Sequence, residues 1–546
     1  MGARNSTGLS NLSSLFKPHD ATRKVFATLF AAVGDPSLTT APKRVRKVLQ
    51  KAVVRYPFGV LLGAFPALLI IVLAAVALGL DWTTSTALLL IPTIVFALLL
   101  LVVGAAFGSL GALVVDSLRA LPDNYFGLCT GGDGTEGGSG PVLKRDPQPL
   151  TYWLADYLDE LAGIEGDTPL TFEDLWGQRD EPNSGTQPQS LGVRLNMITT
   201  DLTAGQPRRL PFPDRKVDKQ AEKLYVRESD LTAFFPERVV KHLTKAERRR
   251  ELVAPPELTK KETFYSLPPA AELPVVFATR LSVSFPGLLS AFPIYVQGPH
   301  KTAEPHWFSD GGITSNFPAH FFDAPLPNWP TFGINLHAWE PDSAAPSEDE
   351  CKKVGIYPHT MIAQRQIATV GSFVGAIKDT AQNWRDNGQI GIPGYRERVA
   401  NIGFLRGEGG LNLYMPTDEI DRLARRGGCA GEKLRDAFYP RYGGPLGEWT
   451  QHRWRRYRVT MAVLEKWFEV MTAASNYPWA CGEPDYLALH NVAGLDFPFD
   501  PGAQAAFSDK ETRDLFAMVN GWGPDRPNSF QGAEEPLPEL RILPRL

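Results

Sequence analysis

The chain has 546 residues, which is enough for one or several domains with a substantial core. Hydrophobic residues make up 43% and charged residues 21% of the sequence, which excludes a disordered or collagen-like chain. Lys plus Arg total 56 and Asp plus Glu total 60, so the net charge of −4 gives no global positive field to attract nucleic acid. We therefore expect a globular protein that does not bind nucleic acid.

Two long apolar stretches stand near the N-terminus, at 58–80 and at about 86–108. The only charged residue between positions 58 and 115 is Asp81, which separates the two stretches. Each would be about 35 Å long as a helix, and the hydrocarbon core of a bilayer is about 30 Å thick. The sequence predicts a two-helix transmembrane hairpin at 57–110, with a buried hairpin inside a soluble domain as the alternative.

The segment 1–56 ends in a predicted amphipathic helix that carries many basic residues. Its apolar positions follow helical spacing, and its cations occupy the rest of the surface. The apolar positions are Val45, Val48, Leu49, Ala52 and Val53, and the cations are Lys43, Arg44, Arg46, Lys47, Lys51 and Arg55. The cations either form a solvated face or meet anionic lipid headgroups.

The loop at Asp81 has no Lys or Arg, so the positive-inside rule places both ends of the hairpin in the cytoplasm. No cleavable signal peptide is visible in the first 40 or so residues, so the hairpin itself would direct insertion.

The cysteines and histidines indicate neither a metal site nor a disulfide framework. Cys129, Cys351, Cys429 and Cys481 are too widely spaced for a zinc ribbon, and a reducing compartment fits them best. The histidines form no HExxH pair, so we expect no metal and no cofactor. His306, His320 and His452 are interpreted as surface or core residues.

The chain beyond the hairpin has the pattern of a layered α/β body. Residues 122–149 are rich in Gly and Pro and predict a flexible loop. Residues 153–161 have helical apolar spacing and are followed by Gly163, a plausible helix terminator. Residues 193–199 and 331–336 are short, mainly apolar, β-rich runs, typical of buried strands.

Four short segments carry the chemical content of the sequence. They are LTFEDLW at 170–176, TTDLTAG at 199–205, SVSFPG at 282–287, and DGG at 310–312 followed by NFP at 316–318. DGG alone is most simply a turn, because Gly tolerates positive φ and Asp accepts backbone hydrogen bonds. The four segments in this order are far more specific than any one of them.

This ordered set resembles the patatin-like phospholipase family over residues 124–336. The resemblance implies a patatin-like layered sheet with flanking helices and the hydrolysis of membrane phospholipid esters by a Ser–Asp dyad without histidine. It makes Asp310 the catalytic carboxylate, and Gly311 and Gly312 the turn and oxyanion glycines. A serine hydroxyl needs such a base within hydrogen-bond reach.

The serine half of the dyad is not found. The chain contains no GxSxG, and the partial matches at 8–12 and 137–141 lack the second glycine. Three explanations stay open: a start codon placed too far downstream, a partner chain that supplies the missing strand, or a pseudoenzyme. The first predicts a lipid acyl hydrolase whose sheet is incomplete at the N-terminus and which is inactive as this chain alone. The third predicts an inactive membrane-anchored scaffold or lipid-binding protein.

The predicted organisation therefore has four parts. N-terminal helices occupy 1–56, the hairpin 57–110, a cytoplasm-facing patatin-like body 111–340, and a C-terminal helical and loop-rich extension 341–546. In the extension, residues 452–458 concentrate basic and aromatic side chains. They form either a solvated helix face or a surface for phosphate or lipid headgroups. The residues do not predict an oligomeric state.

Overall fold

The structure, a computed structural model, describes residues 14–33, 41–80, 84–132, 148–176, 192–213, 223–253, 263–339, 349–356, 367, 369–390, 392–405, 408, 415–439, 447–475, 486, 488–491 and 503–521. They fall into two compact units. Unit 1 contains the described residues up to Asn316 together with Leu405–Arg422. Unit 2 contains Phe317–Phe404 and the described residues from Leu423 onward. The predicted body at 111–340 thus crosses the division between the units.

The helices account for most of both ends of the described chain. In chain order they are α1 (Arg23–Val33), α2 (Ala41–Arg55), α3 (Pro57–Leu80), α4 (Thr84–Asp123), α5 (Leu150–Ala162), α6 (Phe172–Trp176), α7 (Glu228–Phe234), α8 (Glu237–Leu243), α9 (Val275–Ser282), α10 (Val370–Ile390), α11 (Thr417–Phe438), α12 (Gly447–Ser475) and α13 (Ala503–Gly521).

The strands lie between the first four and the last three helices. They are β1 (Gly127–Cys129), β2 (Met197–Asp201), β3 (Gln206–Leu210), β4 (Leu224–Arg227), β5 (Arg249–Arg250), β6 (Phe264–Ser266), β7 (Gly287–Leu289), β8 (Phe292–Gln297), β9 (Ala303–Asp310), β10 (Gly333–Ala338), β11 (Val354–Ile356) and β12 (Val399–Phe404).

Three sheets are present in the described part of the chain. The largest has seven strands in the order β3-β2-β9-β8-β4-β6-β5, with antiparallel neighbours. A parallel pair joins β1 to β7, and a three-stranded sheet has the order β10-β12-β11. The predicted mixed α/β class is confirmed, whereas the patatin-like arrangement of layers stays a prediction.

The core of unit 1 lies between α9 and the seven-stranded sheet. Six of the eight residues of helix α9 are buried, and five of these six are apolar. Phe277 from this helix meets Phe292 of β8 edge to face, with ring centroids 5.4 Å apart, and Phe234 and Phe235 extend the cluster. Such aromatic pairs add about 0.5–1.5 kcal/mol each beyond the burial of their surface. The cluster gives a rigid support to the sheet whose strands carry the TTDLTAG and DGG segments.

Two predicted strands and one predicted helix are found close to their expected places. The run at 193–199 becomes β2, which begins at Met197, and the run at 331–336 becomes β10. Helix α5 ends at Gly163, whose φ of 67° is left-handed and whose N–H donates to the last turn. This is the glycine C-cap that the sequence predicts.

The predicted loop at 122–149 is only partly correct. Helix α4 continues to Asp123, and residues 127–129 form strand β1 beside β7. Gly127 lies so close to the backbone of Ser290 that a side chain there would overlap it. A three-residue strand is too short to show an alternating pattern, so the Gly and Pro content of the segment predicted a loop instead. Residues 133–147 lie outside the described part of the chain.

The expectation of reduced cysteines is wrong for one pair. Cys351 and Cys429 form a disulfide between positions 78 apart in sequence, with Cα atoms 5.4 Å apart. Linear spacing does not reveal that α11 brings Cys429 against the segment before β11. Cys129 is a free, buried thiol, and Cys481 lies outside the described residues.

Candidate active site

Three of the four segments meet around the end of strand β9. The strand that ends in TDLxxG, β2, runs antiparallel to β9, with Thr199 opposite Asp310. The N–H of Asp310 donates to the carbonyl of Ser284, 3.1 Å away, in the serine-rich segment. The hydroxyl of Ser309 donates to the same carbonyl over 2.9 Å. Segments separated by about a hundred residues in sequence therefore meet at one carboxylate.

The fourth segment, LTFEDLW at 170–176, contacts the start of helix α9. The N–H of Val275, at the start of α9, donates to the carbonyl of Leu170 over 2.9 Å. Phe172 donates its N–H to Leu273 and is fully buried in the core of unit 1. The TFxDL segment thus fixes the start of α9, the helix that packs on β2 and β9. The segment therefore supports the strands around Asp310 through α9.

The carboxyl group of Asp310 has one fixed and one open oxygen. Its Oδ1 accepts the N–H of Gly312 over 2.7 Å, while Oδ2 accepts no hydrogen bond from the described residues. Burial raises the pKa of Asp310 above its ordinary value, and the Gly312 hydrogen bond partly offsets this. A half-buried carboxylate with a raised pKa and a free oxygen is suited to accept a proton from an alcohol.

Gly311 and Gly312 are needed for close approach rather than for a left-handed backbone. They begin a short 3₁₀ turn, and neither has positive φ. A side chain on Gly311 would overlap the carbonyl of Ile198 in β2. The N–H of Gly312 already binds Asp310, so this geometry makes Gly312 an orienting group for the carboxylate. A role of either glycine at an oxyanion stays a prediction.

The Asp of TDLxxG binds a histidine of strand β9. Asp201 is fully buried, and its Oδ2 lies 2.9 Å from Nδ1 of His306 and 3.5 Å from the guanidinium of Arg208. Its Oδ1 accepts the N–H of Ala204 over 3.0 Å. These contacts tie β2, its turn and β9 together. His306 thus links β9 to Asp201 of β2, and its interpretation as a surface or core residue stays a prediction. The side chain of His320 is outside the described part.

Arg280 is a buried charged residue near the site that the sequence analysis did not identify. It is fully buried on α9, and no carboxylate in the described ranges pairs with it. It donates to the carbonyl of Thr130 over 2.7 Å and 3.0 Å, to the carbonyl of Ser290 and to the hydroxyl of Ser284. Burial lowers its pKa to about 9, so it stays charged at neutral pH.

These contacts make Arg280 a clamp between two backbone segments. It links the end of β1 to the serine-rich segment whose carbonyl holds Asp310. Arg280 is the only charged residue of α9, and its place among apolar neighbours was the available sequence signal. Such a residue is costly to bury and indicates a required hydrogen-bond network.

Residues 127–131 read GLCTG, which places a cysteine where the elbow pattern has serine. Cys129 does not have the properties of a nucleophile. Its side chain is fully buried, and burial raises the pKa of the thiol to about 12, so it is neutral. Its φ is not positive, unlike the strained turn of a nucleophile elbow. The partial GxSxG matches at 8–12 and 137–141 lie outside the described residues.

The N-terminal helices contain the segments that are long and apolar enough to cross a membrane. Within the described ranges, Ile94–Asp123 is long and apolar enough to cross a membrane. Pro42–Arg55 and Pro57–Leu73 pass the same criterion together, with a bend of 95° between them. Helices α3 and α4 pack closely, and a side chain at Gly63 would overlap the carbonyl of Gly104. Close contact through small residues is typical of membrane helices.

The apolar stripe of α2 is covered by protein in its second half. Ala52 is fully buried, and Val48 packs in the same cluster, against residues of α1 and α4. Val45 and Val54 are exposed. The predicted amphipathic helix is thus found, and its inner stripe serves to join α1, α2 and α4.

Comparison with known proteins gives one informative relative. A protein of Rhizobium meliloti (strain 1021) described as an RpoH suppressor is 30% identical over 493 residues, which are 81% of this chain and 73% of that protein. No family model matches the chain, and no solved structure matches it. The description of the relative names no chemistry, so the reaction has to be inferred from the site.

Proposed function

The chain belongs to the family of the RpoH suppressor of Rhizobium meliloti, and for this member we propose a patatin-like, membrane-attached lipid acyl hydrolase. Asp310 is the carboxylate half of a Ser–Asp dyad, and membrane phospholipid esters are the substrates. The observation that carries the proposal is the open Oδ2 of Asp310 at the point where β2, β9 and the serine-rich segment meet.

Asp310 acts as the base of this proposed reaction. The serine oxygen attacks the ester carbonyl while Oδ2 takes its proton, and the same carboxyl group returns that proton to the leaving alcohol. A water molecule, whose proton Oδ2 takes, then attacks the acyl-serine ester, and the carboxyl group returns the proton to the serine oxygen as the fatty acid leaves. Gly312 holds Oδ1 throughout, so the open oxygen keeps its direction. Burial favours the neutral form of the carboxyl group, which makes Asp310 a stronger base than an exposed aspartate.

Attachment to the membrane brings the site to its substrate. We infer that α3 and α4 form a two-helix transmembrane hairpin, supported by the close Gly63–Gly104 contact and by the many exposed apolar residues of both helices. Helix α2 turns away from α3 by 95°, which suits a basic helix lying along the headgroups of a bilayer that α3 crosses. Anchoring raises the effective concentration of an enzyme at a lipid substrate.

Two features bear on the side of the membrane on which the body lies, and they favour opposite sides. The cations of α2 favour the cytoplasm, which is the side we propose. The Cys351–Cys429 disulfide favours an oxidising compartment. A reporter that is fluorescent only in the cytoplasm, fused after Leu546, decides between them. Fluorescence supports the proposed side, and an active periplasmic reporter at the same position contradicts it.

The second candidate is an inactive membrane scaffold or lipid-binding protein. It is favoured by the absence of GxSxG from the sequence and by the buried, neutral state of Cys129. Reading the coding DNA upstream of Met1 for an in-frame GxSxG separates the two candidates. An in-frame motif supports the hydrolase, and its absence supports the scaffold.

An assay of the purified chain tests whether the nucleophile lies within this sequence. We expect no turnover of a phospholipid ester, because the sequence contains no serine in a GxSxG motif. Hydrolysis that is abolished by Asp310→Asn would show that the nucleophile is present after all. A fluorophosphonate probe, which labels activated serines, would then identify it by mass spectrometry.

A further inference from the structure

Unit 2 contains a groove whose chemistry differs from that of the Asp310 site. It lies between the segment 326–328 and one face of α12, and its volume is about 500 Å³. This is within the range of small-molecule sites. The residues that line it are Leu326, Pro327, Asn328, Thr450, Arg453, Trp454 and Tyr457. None of them is acidic.

One wall of the groove is built by helical spacing. Positions 450, 453, 454 and 457 lie on one face of α12, while His452, Arg456 and Val459 lie on the buried face. The opposite wall is the segment 326–328, and hydrogen bonds from α12 hold the two residues that precede it. Arg456 donates to the carbonyl of Ala324 over 2.7 Å, and the hydroxyl of Thr460 donates to the carbonyl of Pro325 over 3.1 Å. The groove is therefore a fixed feature of this part of the chain.

The charge of the groove comes from Arg453. Its neighbours on α12 have carboxylate partners, since Arg455 pairs with Glu448 and Arg456 with Asp323 over 3.0 Å. Arg453 pairs with no carboxylate among the described residues. Its guanidinium lies 5.8 Å above the ring of Trp449, which orients it without neutralising it. An exposed, oriented guanidinium is suited to bind the oxygens of a phosphate.

Neutral and aromatic groups complete the site. Asn328 and Thr450 supply further hydrogen-bond donors, and the stacked rings of Trp454 and Tyr457 form an apolar wall with centroids 5.7 Å apart. Trp454 is 56% exposed, and Trp329, which follows Asn328 in the sequence, is 80% exposed. Exposed tryptophans beside a cation are typical of the boundary between water and lipid.

We propose that this groove binds the phosphate of a phosphate ester through Arg453, Asn328 and Thr450, with the glycerol and first acyl carbons against Trp454. A membrane glycerophospholipid with a small anionic headgroup is the source that the two exposed tryptophans favour. A soluble phosphate ester has the same anionic chemistry, and the experiment separates the two. The site is independent of Asp310, so it stands whether or not the chain hydrolyses esters.

The test is a binding titration on the full chain in maltoside micelles, which carry no phosphate. The probes are sn-glycerol 3-phosphate and monomeric dioctanoyl phosphatidic acid, followed by calorimetry. Arg453→Gln should weaken the binding of both by about tenfold, since one charge-assisted contact is removed. Trp454→Ala should weaken the lipid more than the soluble ester.

Two matched variants serve as controls. Lys466→Gln removes the same charge from an exposed position on the same helix, and should leave both affinities unchanged. Asp310→Asn should also leave them unchanged, which separates this site from the proposed hydrolase.

The outcomes are distinct. Lipid binding at least about tenfold tighter than that of glycerol phosphate identifies the lipid as the ligand, and equal affinities identify the soluble ester. No binding of either probe, or equal affinities of wild type and Arg453→Gln, would overturn the proposal.

Discussion

His452 gives the chain a quantitative dependence of stability on pH. Its side chain is 1% exposed on the inner face of α12, next to the rings of Trp449 and Phe438. Burial, and then the guanidinium groups of Arg398, Arg456 and Arg455, lower its pKa to about 4. Protonation of this histidine therefore opposes folding.

The sign and size follow from linkage. The pKa in the folded chain lies below the ordinary value of about 6.5, so the stability that the neutral ring contributes is fully present above pH 6.5. It is lost as the pH falls toward 4. Between about pH 7.5 and pH 5 the loss is about 2 kcal/mol for a folded-state pKa near 4.

Hydrogen–deuterium exchange of α12 in the detergent-solubilised chain measures this local free energy. The wild type should lose about 2 kcal/mol of protection over this pH range, and His452→Phe should lose much less, because no proton can bind. His300→Gln, at an exposed position, serves as the control and should behave as the wild type. Equal slopes for wild type and His452→Phe would refute the reasoning.

Three further changes test the packing. Gly63→Leu should force α3 from α4, because its side chain meets the backbone of Gly104, and a cross-link between the helices should disappear. Gly311→Ala should cost about 1–3 kcal/mol by overpacking against β2, seen as a lower denaturation midpoint with Asp310 retained. Replacing Cys351 and Cys429 by Ser should cost up to about 4 kcal/mol, since the cross-link spans 78 positions; an unchanged midpoint would contradict this.

The sequence predicted the elements whose pattern is long or strongly marked. The two apolar stretches became α3 and α4, and the helical spacing at 153–161 with Gly163 became α5 and its cap. These patterns depend on neighbours in the chain. Strand β1 was missed, because three residues carry no detectable period and because its partner β7 is about 160 positions away.

The site was predicted in part for a similar reason. Asp310 could be singled out only through the resemblance of four ordered segments to a known family, and Gly312, its neighbour in sequence, orients it. Arg280 could not, because its partners are backbone carbonyls of distant segments. The disulfide also depends on contacts between remote positions. Pattern along the chain therefore indicated the strand ends at which we propose the chemistry, but not the interactions that hold them together.

The role of Asp310 is tested most directly in the protein's own host, where a GxSxG segment encoded upstream of Met1 would also be made. The membrane fraction of cells that carry the wild-type gene or Asp310→Asn is assayed for hydrolysis of a dioctanoyl phospholipid, with equal protein amounts verified by immunoblot. The account predicts a rate about 10²–10⁴ times lower for Asp310→Asn, because an amide cannot take the serine proton. It also predicts that the wild-type rate falls as the pH drops through the raised pKa of Asp310. Equal rates for the two proteins would contradict the account.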